Sequence, residues 1–306
     1  APVEFDPNDH FEKKEQKSMA IITAMTIVGA RNAGEMAQLL GEDKRLLPSL
    51  NKKRVSMCIS SGIGPTHNLI DIFSTIHSQN GEGESDNELD EEAMRKVKAE
   101  GMRQGSRKVN PFSGLRSFPE QPNAQAALAL GVSGWPINSP EACATGLSAI
   151  AEGARLIRDG YADMVFAGGA EEVLRQHGEV GIASFASMKA LSTKNEEPEK
   201  ASRPFDKDRD GFVLASGIGV VVLESEDSAK KRGAKIFARV LGFDKSIDGY
   251  DTTEADPDRI ADTIFQTLYN QETKSFHPVY AIFAHATSTP IGDKTEATAL
   301  RKVFGD

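Results

Sequence analysis

The sequence predicts a layered α/β fold, because stretches with apolar residues at helical spacing alternate with short continuous apolar runs bounded by glycine. Continuous runs, in place of strict apolar–polar alternation, imply strands covered on both faces. From Lys17 to Leu40 small and apolar residues recur at helical spacing. Val55-Ser56-Met57-Cys58-Ile59 then reads as a buried strand ending in Ser61-Gly62-Ile63-Gly64, with Cys58 in its core. Leu147, Ile150, Ala151, Ala154 and Ile157 fall on one helical face that stops at Asp159-Gly160. Met164-Val165-Phe166-Ala167 follows as a strand closed by Gly168-Gly169. Gly219–Leu223 and Val279–Ala284 are two further apolar runs expected to be strands covered on both faces.

Composition bounds the setting. A chain of 306 residues, 39% hydrophobic and 26% charged, can bury a substantial core as one large domain or two. Its net charge of −9, from 36 basic and 45 acidic residues, disfavours nonspecific attraction to nucleic acid or anionic lipid. No run is long and apolar enough to span a membrane. Cys58 and Cys143 stand far apart and supply neither a disulfide framework nor paired metal-ligand spacing, which points to a reducing compartment. The opening "APVEFDPNDHFEKKEQK" has neither the apolar core of a signal peptide nor the acid-poor character of a transit peptide. Residues 79–106, built around the acidic run Gly81–Gly101, read as a solvated surface insertion.

Two stretches carry chemistry. In "PEACATGL", Pro140–Leu147, a cysteine sits between small residues at the head of a predicted helix. Unpaired N–H groups and the positive end of the helix dipole favour thiolate over thiol there, and the same amides could hold an oxyanion formed when sulfur attacks a thioester. Small neighbours Ala142, Ala144 and Gly146 leave room for a carbonyl, so Cys143 is a candidate nucleophile; the alternative is a small packing residue beside a glycine turn. In "AHATSTP", His285 follows the predicted strand Val279–Ala284, where an α/β sheet delivers side chains to the crevice at its carboxyl edge. Thr287, Ser288 and Thr289 add hydroxyls suited to a polar ligand arm, whereas His10, His77 and His277 sit in polar or turn-like surroundings.

At these stretches the chain resembles the elongating β-ketoacyl-acyl carrier protein synthases, condensing enzymes of fatty-acid synthesis with the thiolase-like layered αβαβα fold. The resemblance rests on "ACATG" at Cys143, "AGGAE" at Gly168-Gly169-Ala170-Glu171, "KALSTKNEEPEKASRPFDKDRDGFVLASGIGVVVLE" from Lys189 to Glu224, and "AHATSTPIGDKTEA" from Ala284 to Ala297. It implies a single β-ketoacyl synthase domain over residues 1–306, incomplete at both ends: the family's Lys-x-x-x-Gly-His pattern with its second histidine, and its Gly-Phe-Gly-Gly loop, have no counterpart up to Asp306. By the same resemblance Cys143 carries the acyl chain as a thioester, and His285 assists loss of carbon dioxide from the malonyl unit or holds the enolate. Thr287, Thr289 and Thr253 bind the pantetheine arm, Phe212 lines the acyl site, and Glu296 and Asp210 support the polar network. The implied reaction is decarboxylative condensation of an acyl thioester with malonyl-acyl carrier protein, in fatty-acid or polyketide elongation. No metal and no cofactor beyond carrier-borne phosphopantetheine is expected, the carrier protein is the expected partner, and a homodimer is the expected assembly. The bacterial cytoplasm is the expected compartment, with a mitochondrial or plastid matrix as the alternative. A noncatalytic ketosynthase-like partner subunit of the chain-length-factor type is the alternative function.

Other motifs read more plainly. Asp206-Lys207-Asp208-Arg209-Asp210-Gly211 opens like an EF-hand loop, but Gly217 stands where a bidentate Glu is needed. Ser61-Gly62-Ile63-Gly64 and Ser216-Gly217-Ile218-Gly219 read as tight turns near strands without the lysine of a phosphate-binding loop. Lys230-Lys231-Arg232-Gly233 reads as a helix C-terminal cap, with docking of an acidic carrier as the second reading. Two departures from the family fall in loops: Ala286 where glycine usually follows the histidine, and "LASGIG" where an acidic residue usually separates glycines.

Overall fold

The structure, a computed structural model, describes residues 4–65, 67–77, 99–100, 103–175, 178–251 and 254–305. The chain divides into two compact units, one made of Val3–Glu172 with Ser216–Lys235, the other mainly of Val173–Ala215 with Ile236–Asp306. Most of the predicted insertion at residues 79–106, and Thr253, lie outside the described residues.

The first unit is built on a three-stranded sheet in the order β1 (Val55–Ser60), β2 (Met164–Glu171), β3 (Gly217–Glu224), with β1 parallel and β3 antiparallel to β2. Side-chain alternation along β1 and β2 sorts two cores. Met57, Ile59, Met164 and Phe166 join Ile22, Ile27 and Leu130 on one face, from helices α1 (Ile21–Met36) and α3 (Gln121–Leu130). Cys58, Val165 and Ala167 join Ala149 and Leu156 of α4 (Thr145–Arg158) on the other. Helix α2 (His67–His77) follows the β1 turn. Six consecutive buried residues in β1 thus reflect cover on both faces. Fully buried Phe166, Ile22, Leu39, Ile59 and Leu130 each contribute about 1.5–3 kcal/mol of transfer free energy.

Several elements differ from expectation. Helix α1 is shorter than Lys17–Leu40: it ends because Gln38 takes a left-handed φ of 56°. Leu39 N–H then bonds back to Gly34 O at 2.9 Å. Gly168-Gly169 does not close β2, which continues to Glu171. A Cβ on Gly168 would lie 1.9 Å from Gly219 O, so these glycines let β3 approach instead of ending the strand. For the same reason Ser216-Gly217-Ile218-Gly219 is not a turn; its last three residues open β3, and Ile218 packs against Gly29 of α1. Nor is β3 covered on both faces, since Val221 is 44% exposed.

In the second unit, helices α5 (Gly178–Ser187), α7 (Pro257–Leu268) and α8 (Pro290–Phe304) accompany a small hairpin of β4 (Tyr269–Asn270) and β5 (Ser275–Phe276). Helix α7 packs on α8. The predicted strand Val279–Ala284 is not formed: no ladder pairs with it among the described residues, and Tyr280 and Phe283 are 95% and 99% exposed. Apolar runs become strands only where a partner ladder accepts their N–H and C=O groups, and that partner is not a property of the run itself. His285 therefore follows a segment without regular secondary structure, not a strand edge.

The Gly168–Gly219 crossing is tight enough to test. Gly168→Ala should destabilise the first unit by at least about 1–3 kcal/mol, the range for overpacking against unyielding backbone, read as a lower urea midpoint. Gly217→Ala, where a Cβ meets nothing within 4 Å, should leave it unchanged.

Candidate active site

Cys143 is exposed and stands in a short 3-10 turn, Ala142–Ala144, that runs directly into α4. Ala142 before it has φ 47°, a left-handed conformation that costs an alanine roughly 1–2 kcal/mol and makes a sharp elbow. Three contacts hold that elbow. A Cβ on Gly62 would fall 2.5 Å from Ala142 O, so only glycine lets the turn after β1 lie against the elbow. That turn is clamped by Glu171, whose carboxylate accepts from Ser61 Oγ at 2.8 Å, Gly62 N at 3.0 Å and Ile63 N at 2.9 Å. On the helix side, Gly146 packs on Gly169, where a Cβ would come 3.1 Å from Gly146 Cα. The motif glycines in "ACATG" and "AGGAE" are thus close-approach positions that seat the head of α4 on β2. The geometry exposes Cys143 at the head of a 14-residue helix, whose N-terminal amides are suited to holding an oxyanion.

The second unit carries the other predicted residues. His285 is exposed, and the loop after it alternates left-handed residues, Ala286 at φ 49° and Ser288 at φ 64°. Ala286 thus occupies a conformation that glycine would adopt without strain. Glu296, in the second turn of α8, pins the loop: its carboxylate accepts from His285 N at 2.7 Å and Ala286 N at 2.8 Å. Thr289 is the N-cap of α8, its Oγ1 accepting from Gly292 N at 3.1 Å, and Thr287 Oγ1 lies 2.8 Å from Thr289 Oγ1. Buried Asp293, not singled out from the sequence, accepts from Ser288 N at 2.9 Å and Phe205 N at 2.7 Å and pairs with Arg209 Nε at 3.4 Å. Arg209 also donates to Thr289 O and Pro290 O. The loop following His285 is therefore held to the Arg203–Arg209 segment by a buried carboxylate, by Arg209 on two carbonyls and by Arg203 N–H on Ser288 Oγ.

Asp210 accepts from Ser192 Oγ at 2.6 Å and from Thr193 N at 2.9 Å, and these bonds, the hydroxyl first, hold its carboxyl below the usual range. Phe212 stands edge-on to Phe185 of α5, ring centroids 5.7 Å apart, with its backbone bridged to Ala190 and Ser192. In the basic cluster at the C-terminal end of helix α6 (Glu226–Lys231), Arg232 makes a two-pronged bond to Glu224 and donates to Ala37 O, and Gly233 follows the cap at φ 68°. The cap reading accounts for Arg232. Cys143 belongs to the first unit, and His285, Thr287, Thr289, Glu296, Asp210 and Phe212 belong to the second. Among the described residues no helix is long and apolar enough to cross a membrane.

Comparison with known proteins agrees with this arrangement of motifs. Residues 3–229 match the family described as beta-ketoacyl synthase, N-terminal domain, and residues 237–306 match beta-ketoacyl synthase, C-terminal domain. The chain is 33% identical over 303 residues to 3-oxoacyl-acyl-carrier-protein synthase 2 of Vibrio cholerae, covering 99% of this chain and 65% of that protein. The protein of the same name from Staphylococcus aureus strain N315 gives the same identity and coverage, 33%, 99% and 65%. The chain thus spans just under two thirds of the length of these relatives. Among solved structures, a beta-ketoacyl synthase from Burkholderia phymatum superposes with a TM-score of 0.81 at 26% identity, covering 100% of this chain and 66% of that one. The ishigamide ketosynthase/chain length factor gives 0.79 at 27%, covering 99% and 66%. A ketosynthase solved with its type II polyketide acyl-carrier protein gives 0.72 at 28%, covering 92% and 64%.

Two outcomes follow from the second-unit geometry. Asp293→Ala should cost about 3–5 kcal/mol, because it leaves Arg209 without its buried partner and two N–H groups without an acceptor; equilibrium unfolding in urea reads this directly. Asp210 has a depressed folded-state pKa, so its contribution is full above its unfolded value, about pH 4, and is lost as pH falls through the lower folded value. Asp210→Asn should flatten that acid limb of the stability profile; an unchanged slope would contradict the assignment.

Proposed function

The chain belongs to the β-ketoacyl synthase family, and we propose that it acts as a 3-oxoacyl-acyl-carrier-protein synthase, condensing an acyl thioester with malonyl-acyl carrier protein. What carries the reading is the exposed Cys143 on a strained elbow at the head of α4, braced by Glu171 through the Ser61–Ile63 turn. The Cys143 thiolate attacks the acyl carbonyl carbon, backbone amides take the oxyanion, the carbon–sulfur bond to the carrier breaks, and the carrier leaves as a thiolate that takes up the proton released when the Cys143 thiol ionised. On the malonyl thioester the bond to the terminal carboxylate then breaks, carbon dioxide departs, and the electron pair passes into an enolate facing His285. The enolate carbon attacks the acyl-cysteine, forming the new carbon–carbon bond and returning the Cys143 thiolate.

Within this reading Thr287, Thr289 and Thr253 contact the pantetheine arm, Phe212 lines the acyl site, and Glu296 and Asp210 support the polar network. Phosphopantetheine on the carrier is the only cofactor the chemistry requires. The relatives' names support acyl carrier protein as partner, and the structure of a ketosynthase with its carrier protein supports the same pairing. A homodimer in the bacterial cytoplasm is the accompanying proposal. A chain-length-factor-like role is the second reading, favoured by the likeness to the ishigamide pair; an exposed, braced thiol favours catalysis over it.

Intact-protein mass spectrometry after incubation with acyl-acyl carrier protein tests the assignment. A single acyl adduct is expected on the parent chain and none on Cys143→Ala. His285→Ala should keep the adduct but release carbon dioxide from malonyl-acyl carrier protein about 100-fold more slowly or worse. An adduct that persists in Cys143→Ala would overturn the nucleophile.

A further inference from the structure

We propose that Glu141 is a positioning residue for Cys143, holding the elbow in register with the head of α4 through hydrogen bonds made by its carboxylate. Its Oε1 accepts from Ser139 Oγ at 2.7 Å and its Oε2 from Ser148 Oγ at 2.6 Å, while its backbone N–H donates to Thr145 Oγ1 at 2.8 Å. All three hydroxyl-bearing partners are buried, at 8%, 5% and 4% exposure, although Glu141 itself reaches the surface. Ser139 precedes the cysteine, and Thr145 and Ser148 lie in the first turn of α4, so the bonds close a ring across residues 139–148 with Cys143 inside it.

The ring is anchored at both ends. Ser139 N–H bonds Ser60 Oγ at the end of β1 at 2.9 Å, and that hydroxyl donates to Asn138 Oδ1 at 2.8 Å. The first turn of α4 is seated on β2 by Gly146 against Gly169. Ala142, the residue between Glu141 and Cys143, is held at φ 47°, which alanine does not adopt by preference. Glu171 and Gly62 support that residue from the side of the β1 turn. Glu141 supports it from the helix side, its carboxylate bonding Ser139 ahead of the elbow and Ser148 in α4. With the ring open, Ala142 can relax and the sulfur leaves its place beside the N-terminal amides.

The proposal rests on reading Cys143 as the acylated thiol, so its test uses two reactions at the same atom. Glu141→Gln and Glu141→Ala both remove the charge; Gln keeps one acceptor oxygen and can bond the second serine oxygen by donating from its amide nitrogen, whereas Ala removes both side-chain bonds, so their comparison isolates positioning. Acylation by acyl-acyl carrier protein and alkylation by iodoacetamide, each mapped to the Cys143 peptide, should be at least fivefold slower in Glu141→Ala than in Glu141→Gln. The loss should fall on the maximal single-turnover acylation rate, with the half-saturating donor concentration unchanged. Ser148→Ala, which removes one donor, should give an intermediate loss and serves where Glu141→Ala does not fold. Equal rates for Gln and Ala in the alkylation, or a Ser148→Ala rate equal to the parent's, would overturn the proposal. Absence of an acyl adduct on the parent itself would instead count against the condensing-enzyme reading, while the alkylation ratio still decides the role of Glu141.

Discussion

The close approach of backbone to backbone at glycine is the constraint on which the first unit depends. Gly168 admits the carbonyl of Gly219, Gly169 admits Gly146, and Gly62 admits the carbonyl of Ala142. The first crossing brings β3 onto β2, the second sets α4 on the sheet, and the third presses the β1 turn against the elbow. Gly168 and Gly62 leave no room for a Cβ and Gly169 leaves little, so main-chain contacts set where the elbow lies, and the carboxylates of Glu171 and Glu141 then hold it there. A thiol whose amide neighbours are placed this way needs little rearrangement when charge develops on a bound oxygen.

The second unit uses a related device with different parts. Ala142 and Ala286 are both alanines in left-handed conformations beside a candidate catalytic side chain. Each is next to a segment whose N–H groups end on a carboxylate: Gly62 and Ile63 on Glu171, His285 and Ala286 on Glu296. Strain of about 1–2 kcal/mol in a short loop persists only where the surroundings over-determine it, and charge-assisted hydrogen bonds from a carboxylate to paired amides supply that over-determination. Asp293 extends the device, tying Ser288 to Phe205 and Arg209 inside the same unit.

Much of this was legible in the sequence, and the exceptions share a cause. Val55–Ile59 and the helix after Cys143 were readable because their burial is local in pattern: a continuous apolar run, and one apolar face ending at Gly160. The motifs around Cys143 and His285 were readable because chemistry demands those side chains. The run Val279–Ala284 misled, because a strand needs a ladder that the run does not contain. Gly168-Gly169 and Ser216–Gly219 misled in the opposite direction, since glycine marks close approach as well as chain reversal. The clamping roles of Glu171 and Asp293 are not legible because their partners are distant: Ser61 is 110 residues from Glu171, and Phe205 is 88 from Asp293. A carboxylate that clamps amides looks, in sequence, like any solvated acid.

The most direct test of the account is a crystal structure of the chain after acylation. It should show the acyl group on Cys143 Sγ, Ala142 still left-handed, and the thioester oxygen about 3 Å from a backbone N–H of the elbow. An acyl group attached elsewhere, or a relaxed Ala142 with the carbonyl turned to solvent, would contradict it.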